Sequence, residues 1–164
     1  MAWPLRSNVA MKKPQQSLAN ESLAGEFGDA QLEDPRLRRR LLLIADAALA
    51  KPAASLPRQA VTDAGLEGTY RFLNHCGVVP AVIFDAHARQ TVARSRSAGT
   101  VLCISDTTEV NFRGENTREG LAPIRTGGQG FLLHLTLAVD ANTSEPLGML
   151  AMEPWVRAVK PQPA

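Results

Sequence analysis

One short stretch places a carboxylate where a strand would hold it in a fixed position. The segment LCISDTTEV begins in the apolar, β-prone run 101–105 and leads directly into Asp106. A strand holds such a side chain rigidly, and Mg²⁺ prefers hard oxygen ligands. Asp106 at a strand end is therefore a candidate metal ligand. The alternative is a turn in which Asp106 caps Thr107 and Thr108, as short polar side chains often do.

A second group of residues could bind phosphates. The segment RLRRR follows Asp34 and Pro35, which suit the N-cap and the first turn of a helix that ends at Lys51, before a proline. Residues three and four apart share one side of a helix, and the arginines that do so here are Arg36, Arg39 and Arg40. A positive stripe of this kind suits a nucleic-acid backbone. The alternative is a solvated face whose charges pair with Glu33 and Asp34.

The segment GTYRFLN offers a third set of side chains. Tyr70 and Arg71 are neighbours near the start of a predicted helix at 66–74. Arginine reaches phosphates or guanine edges, and tyrosine can hydrogen-bond a phosphate. The alternative is that Tyr70 and Phe72 belong to the core or border it, and that Arg71 is merely exposed.

Other patterns exclude several classes of site. Cys76 and Cys103 have no CxxC spacing, which argues against a zinc knuckle or a disulfide framework and favours a reduced, cytoplasmic setting. The three histidines are not spaced as metal ligands. The glycine-rich TGGQG precedes a strand rather than a helix, so it is not a phosphate loop. The sequence contains no run of about 18 apolar residues, so it predicts no membrane span.

Charge and hydrophobic periodicity divide the chain into two parts. Residues 1–98 carry thirteen basic and nine acidic side chains, whereas residues 99–164 carry five basic and seven acidic ones. A basic N-terminal part favours a polyanionic partner. Helical spacing dominates from about Glu26, with helices also at 56–61 and 80–96, and strands follow at 101–105, 131–139 and 147–152. The strands at 131–139 and 147–152 should form a hairpin.

These patterns predict an α+β fold with four segments. Residues 1–24 form a mobile leader, 25–98 a helical domain, 99–157 a partial sheet domain, and 158–164 a tail. The segment 111–129, rich in glycine, is predicted to be a loop. Three strands without a covering helix would make an incomplete domain, because a sheet must bury its apolar face.

The order and spacing of several segments resemble the Tn5-like transposases of the IS4 family. The matching stretches lie along residues 26–157: FGDAQLEDPRLRRRLLLIADAALAKPAASLP, GTYRFLNHCGVVPAVIFDAH, VLCISDTTEVNF and GFLLHLTLAVDANTSEPLGMLAMEPWVR. The resemblance implies a helical N-terminal domain that recognises double-stranded transposon-end DNA. It also implies that the first strands of a ribonuclease H-like catalytic domain follow.

The family resemblance assigns roles to particular residues. Asp106 corresponds to the first carboxylate of the DDE triad, a catalytic residue and metal ligand in two-metal chemistry with Mg²⁺. Arg40 and Arg71, with Tyr70 beside Arg71, match DNA-contact positions. Helix side and proximity add three weaker candidates, which are Arg36, Arg39 and Lys51.

The chain also departs from the family pattern. None of the acids after Asp106 stands in the motif expected for the second Asp or the Glu, so we expect this truncated chain alone not to cut DNA. It would bind DNA as a catalytically incomplete transposase in the cytoplasm, associated with the nucleoid. The alternative is a short regulatory form that binds DNA or a full-length transposase and inhibits the latter.

Overall fold

Within the residues that the structure describes, five helices are followed by an antiparallel sheet. The computed structural model describes residues 23–157 apart from residues 115 and 126. The helices are α1 (Leu23–Phe27), α2 (Pro35–Ala50), α3 (Leu56–Gln59), α4 (Asp63–Leu73) and α5 (Pro80–Ser95). The strands are β1 (Val101–Phe112), β2 (Ala122–Pro123), β3 (Gln129–Asp140) and β4 (Pro146–Trp155). The predicted α+β class is confirmed.

The ends of the chain limit what can be compared with the predicted segments. Residues 1–22 of the predicted leader and the predicted tail at 158–164 lie outside the described residues. Leu23 and Ala24, the last two residues of the predicted leader, open α1 instead. Helical structure is therefore present before residue 25, where the helical domain was predicted to begin.

Capping side chains explain where the helices begin. The Asp34 side chain accepts a hydrogen bond of 2.8 Å from the backbone N–H of Arg36, and Pro35 occupies the first turn of α2, as predicted. Thr62 caps α4 in the same way, accepting from the N–H of Gly65 at 3.1 Å. Helix α4 therefore starts three residues before the predicted 66–74, because this cap precedes the apolar residues on which the prediction depended.

The helices enclose a small apolar core. Its buried members come from the segment between α1 and α2 and from α2, α4 and α5. They are Ala30, Leu32, Leu41, Phe72 and Ala86. Partly buried side chains pack around them, among them Phe27, Leu37 and Ile44. Burial of these side chains holds α1, α2, α4 and α5 together, since removal of apolar surface from water is the main favourable term in folding.

The sheet is organised around β3. Strand β1 pairs with β3 along all twelve residues, from Val101 opposite Asp140 to Phe112 opposite Gln129. On its other side β3 pairs with β4 and, near its start, with the short β2. The predicted hairpin of the last two strands is confirmed, and each strand is longer than predicted. Strands β1 and β2 also shorten the predicted loop at 111–129.

Helix α5 covers one part of the sheet, which corrects the expectation of strands without a covering helix. The Arg94 Nε donates to the carbonyl oxygen of Leu147 at 2.6 Å, and the N–H of Met149 donates to His87 Nε2 at 2.9 Å. Thr91 of α5 and Ala138 of β3 are both fully buried. The last helix of the predicted N-terminal domain thus also packs on the following sheet.

Among the residues that the structure describes, no helix combines the length and the apolar character needed to cross a membrane.

Candidate nucleic-acid interface

Helix α2 presents three of its four arginines on one side, as their spacing predicted. Arg36 and Arg39 are exposed, and Arg40 is half-buried. Within the described part of the chain, none of the three guanidinium groups forms an ion pair with a carboxylate. The alternative pairing with Glu33 and Asp34 is therefore not found there, and these positive charges are available to an external anion.

Arg40 differs from the other two arginines because it reaches the neighbouring helix. Its guanidinium group lies against the backbone of α4 at Gly68: a Cβ atom placed on Gly68 would be 2.6 Å from Arg40 Cζ. The same side chain lines a shallow cavity of about 190 Å³ between α2, α3 and the start of α4. Leu43, Ile44 and Thr69 also line this cavity. The positive charge of Arg40, a residue of α2, therefore lies at the surface of α4.

The predicted contact residues of α4 lie on its outer side. Tyr70 is 45% exposed, whereas Phe72 is only 4% exposed and belongs to the core. The Arg71 side chain is exposed and forms an ion pair with Glu67, one helical turn earlier. The alternative prediction, that Tyr70 and Phe72 belong to the core or border it, is therefore right for Phe72 and wrong for Tyr70. Tyr70 is accessible to a partner.

Lys51 lies at the other end of α2. It is the C-cap residue, its Nζ donates to the carbonyl oxygen of Arg58 at 3.1 Å, and its own carbonyl oxygen accepts from Gln59. With a rise of 1.5 Å per residue, Lys51 lies about 22 Å from Arg36 along the helix axis. The predicted DNA-contact residues of α2 and its C-cap are therefore spread along the helix and do not form one compact cluster.

The sequence context predicted Asp106 at the end of a strand, whereas the structure places it within one. Strand β1 continues through Asp106 to Phe112, so the carboxylate is in mid-strand and not at a strand end. Thr107 and Thr108 are also extended, so the alternative turn is equally wrong. The strand is at an edge of the sheet and Asp106 is exposed, with its Oδ1 accepting from the N–H of Thr107 at 2.8 Å.

The surroundings of Asp106 do not meet the requirements of Mg²⁺. Across the described ranges, 23–157 without 115 and 126, no three His, Cys, Asp or Glu side chains are grouped so that they could hold a metal ion. Mg²⁺ needs near-octahedral oxygen coordination, and one carboxylate supplies a small part of it. The assignment of Asp106 as a catalytic metal ligand stays a prediction.

Gly68 is a site residue that the sequence reasoning did not single out. It lies inside α4, where glycine is less favourable than alanine by about 1 kcal/mol. A glycine inside an otherwise good helix is a signal that something approaches the backbone closely. Here the approaching group is the guanidinium of Arg40.

Comparison with known families concerns the helical part of the chain. Residues 19–78 match the model of the family described as transposase DNA-binding. The matched stretch includes α1 to α4 and all six residues predicted to contact DNA, whereas Asp106 and the sheet lie beyond it. The N-terminal helical part is therefore similar to the DNA-binding domains of transposases, which supports transposase-like DNA binding by this part of the chain.

Proposed function

We propose that this chain is a transposase-like protein of the Tn5-like IS4 group that binds double-stranded DNA at transposon ends through α2 and α4. One observation carries the proposal. The stretch that matches the transposase DNA-binding family contains the arginines of α2 that, within the described chain, have no carboxylate partner. Bound in this way, the protein would associate with the nucleoid.

The geometry suits a phosphate backbone. Arg36 and Arg39 project from the exposed side of α2, while Arg40 extends onto α4 toward the segment that carries Tyr70 and Arg71. Guanidinium groups bind phosphate oxygens through two hydrogen bonds in a planar arrangement. Contacts from two helices would fix the position of the protein on the duplex, on which base-specific contacts could then be made.

In this proposal, the sheet corresponds to the first strands of a ribonuclease H-like domain. Three long antiparallel strands, with Asp106 on the first of them, support this part of the proposal. The proposed function contains no cleavage step, because two metal ions would need several ligands and the described residues hold no group of three possible metal ligands.

A full-length transposase is the second partner that we propose. A chain that occupies transposon ends through α2 and α4, and whose described residues hold no group of three possible metal ligands, would compete with an intact enzyme for the same DNA. Addition of the purified chain to a strand-transfer reaction of an intact transposase should then lower the yield of product. An undiminished yield at concentrations that saturate the DNA would exclude this competition.

The test of DNA binding uses a pool of duplexes with randomised sequence. After rounds of selection on the purified protein, the enriched duplexes are compared with the starting pool in a gel shift at several salt concentrations. We expect enrichment, and an affinity that falls as salt rises, because each phosphate contact releases counterions.

Three variants locate the interface. Arg40→Ala and Arg71→Ala should each weaken binding roughly tenfold and reduce the salt dependence by about one counterion. Arg125→Ala is the matched control, since it removes an exposed arginine from the loop between β2 and β3. Equal binding by all four proteins would reject the assigned interface, and failure of every protein to bind duplex DNA would reject the proposed function.

A further inference from the structure

We propose that Gly68 is a positioning residue that lets Arg40 and Arg71 act together on the phosphates of one DNA segment. This inference rests on the proposed function and adds a specific arrangement to it. The observation is the close approach of Arg40 to the backbone of α4. A Cβ atom on Gly68 would lie 2.6 Å from Arg40 Cζ and 2.8 Å from each of its terminal nitrogens.

These distances are too short for any side chain at position 68 while Arg40 stays in place. The guanidinium group occupies the space that the first side-chain atom of any other residue would fill. Arg40 has several rotatable bonds, so it would move aside and the helix would remain intact. Replacement of Gly68 should therefore displace a charge and leave the fold unchanged.

Backbone conformation does not explain the glycine. Among the described residues, glycines with a positive φ are found at positions 114, 120, 127, 128 and 148, and Gly68 is not one of them. Its backbone is helical, a conformation that alanine adopts more favourably by about 1 kcal/mol. The contact with Arg40 is the structural feature that requires a missing side chain at this position.

The position of Gly68 on α4 determines what the contact can do. Gly68 and Arg71 are three residues apart and thus lie on the same side of the helix. The guanidinium of Arg40, although it belongs to α2, is consequently presented one turn of α4 away from Arg71. A DNA backbone that lies along this side of α4 would then meet both positive groups.

A double-mutant cycle tests whether Gly68 acts through Arg40. Gly68→Ala, Arg40→Ala and the double variant are compared with the unmodified chain for binding to the selected duplexes. We expect Gly68→Ala to weaken binding roughly fivefold to tenfold, and to cause no further loss when Arg40 is already alanine. The salt dependence should fall by about one counterion in each of the three variants.

Two controls separate this effect from general damage to the protein. Gly25→Ala makes the same substitution in α1, where a Cβ would meet no atom within 4 Å, and should leave binding unchanged. Thermal unfolding of Gly68→Ala should show a midpoint equal to or above that of the unmodified chain, because alanine favours the helix.

The possible failures are distinguishable. If Arg40→Ala weakens binding and Gly68→Ala does not, the positioning role is wrong and the proposed DNA interface stands. If Gly68→Ala weakens binding equally with and without Arg40, the glycine acts by another route and the inference is also wrong. If neither Arg40→Ala nor Arg71→Ala changes binding, the interface itself is wrong.

Discussion

Arg94 of α5 holds the carboxylate of Glu26 in α1 through two parallel hydrogen bonds. Nη1 lies 2.7 Å from Oε2 and Nη2 lies 2.9 Å from Oε1. His87 contacts the same carboxylate through Nδ1 at 2.5 Å, and its other ring nitrogen accepts from the N–H of Met149 in β4. One partly buried carboxylate thereby connects the first helix, the last helix and the sheet.

The Glu26 contacts predict a loss of stability in acid. Burial raises the pKa of Glu26, but the hydrogen bond and charge of Arg94, together with those of His87, outweigh it and place the pKa below its ordinary value of 4.5. A carboxylate with a lowered folded-state pKa contributes stability above its unfolded-state pKa. This contribution disappears as the pH falls through the folded-state pKa.

Urea unfolding from neutral pH down to about pH 3 measures this effect, with Glu26→Gln as the matched variant. The variant should be less stable at neutral pH, and the difference between the two proteins should shrink as the pH falls below 4.5. A difference that stays constant across this range would show that ionisation of Glu26 contributes nothing to stability.

Arg94→Ala should destabilise the protein more than loss of another arginine from the same helix. The substitution leaves the Glu26 carboxylate, whose side chain is 15% exposed, without its main partner and also removes the bond to Leu147. We expect a loss of about 2–4 kcal/mol in the free energy of unfolding. Chemical denaturation at neutral pH measures it.

Arg89→Ala is the control for this comparison. Arg89 forms an ion pair with Asp29 at 3.1 Å, but both side chains are about half exposed. Exposed pairs contribute about 0–1 kcal/mol because water screens them. Similar losses for the two variants would mean that burial of the Glu26 pair has no special effect.

Replacement by alanine should have different effects at Phe72 and at Leu73, two consecutive residues at the end of α4. Phe72 is 4% exposed and packs in the helical core, whereas Leu73 is 53% exposed. Phe72→Ala should cost about 3–5 kcal/mol in unfolding free energy because it leaves a cavity, and Leu73→Ala less than about 1 kcal/mol. Equal costs, measured by urea titration, would contradict the assigned orientation of α4.

The helical boundaries were largely predictable because local signals determine them. Asp34, Pro35 and Lys51 define α2 by capping and by the conformational limits that proline imposes. Strand β1 was harder to predict, since Asp106 and its polar neighbours are typical of a turn. The complete pairing with β3 overrides that local preference, and an edge strand tolerates exposed polar side chains.

The contacts that define the candidate site depend on tertiary structure. The arginine stripe of α2 follows from residue spacing, but the approach of Arg40 to Gly68 joins residues far apart in the chain. The bonds from Glu26 to His87 and Arg94 connect α1 with α5 in the same way. Hydrophobic periodicity indicates which helix faces are buried and does not indicate which polar groups meet at their edges.

The ion pair between Glu67 and Arg71 predicts that the DNA-free protein restrains Arg71, a residue that we propose contacts DNA. Both side chains are largely exposed, so the pair is weak and a phosphate can replace the carboxylate. Glu67→Gln removes the competing negative charge one turn from Arg71. Affinity for the selected duplexes at low salt should rise about twofold to fivefold, and this gain should fade at high salt as the charges are screened.

Glu145→Gln separates this local effect from the change in net charge. Glu145 is exposed in the turn between β3 and β4, beyond the stretch that matches the transposase DNA-binding family. Its replacement removes the same charge and should alter affinity less than Glu67→Gln does. An equal rise in both variants would assign the gain to net charge alone, because a general field acts from either position, whereas release of Arg71 requires loss of the carboxylate at position 67.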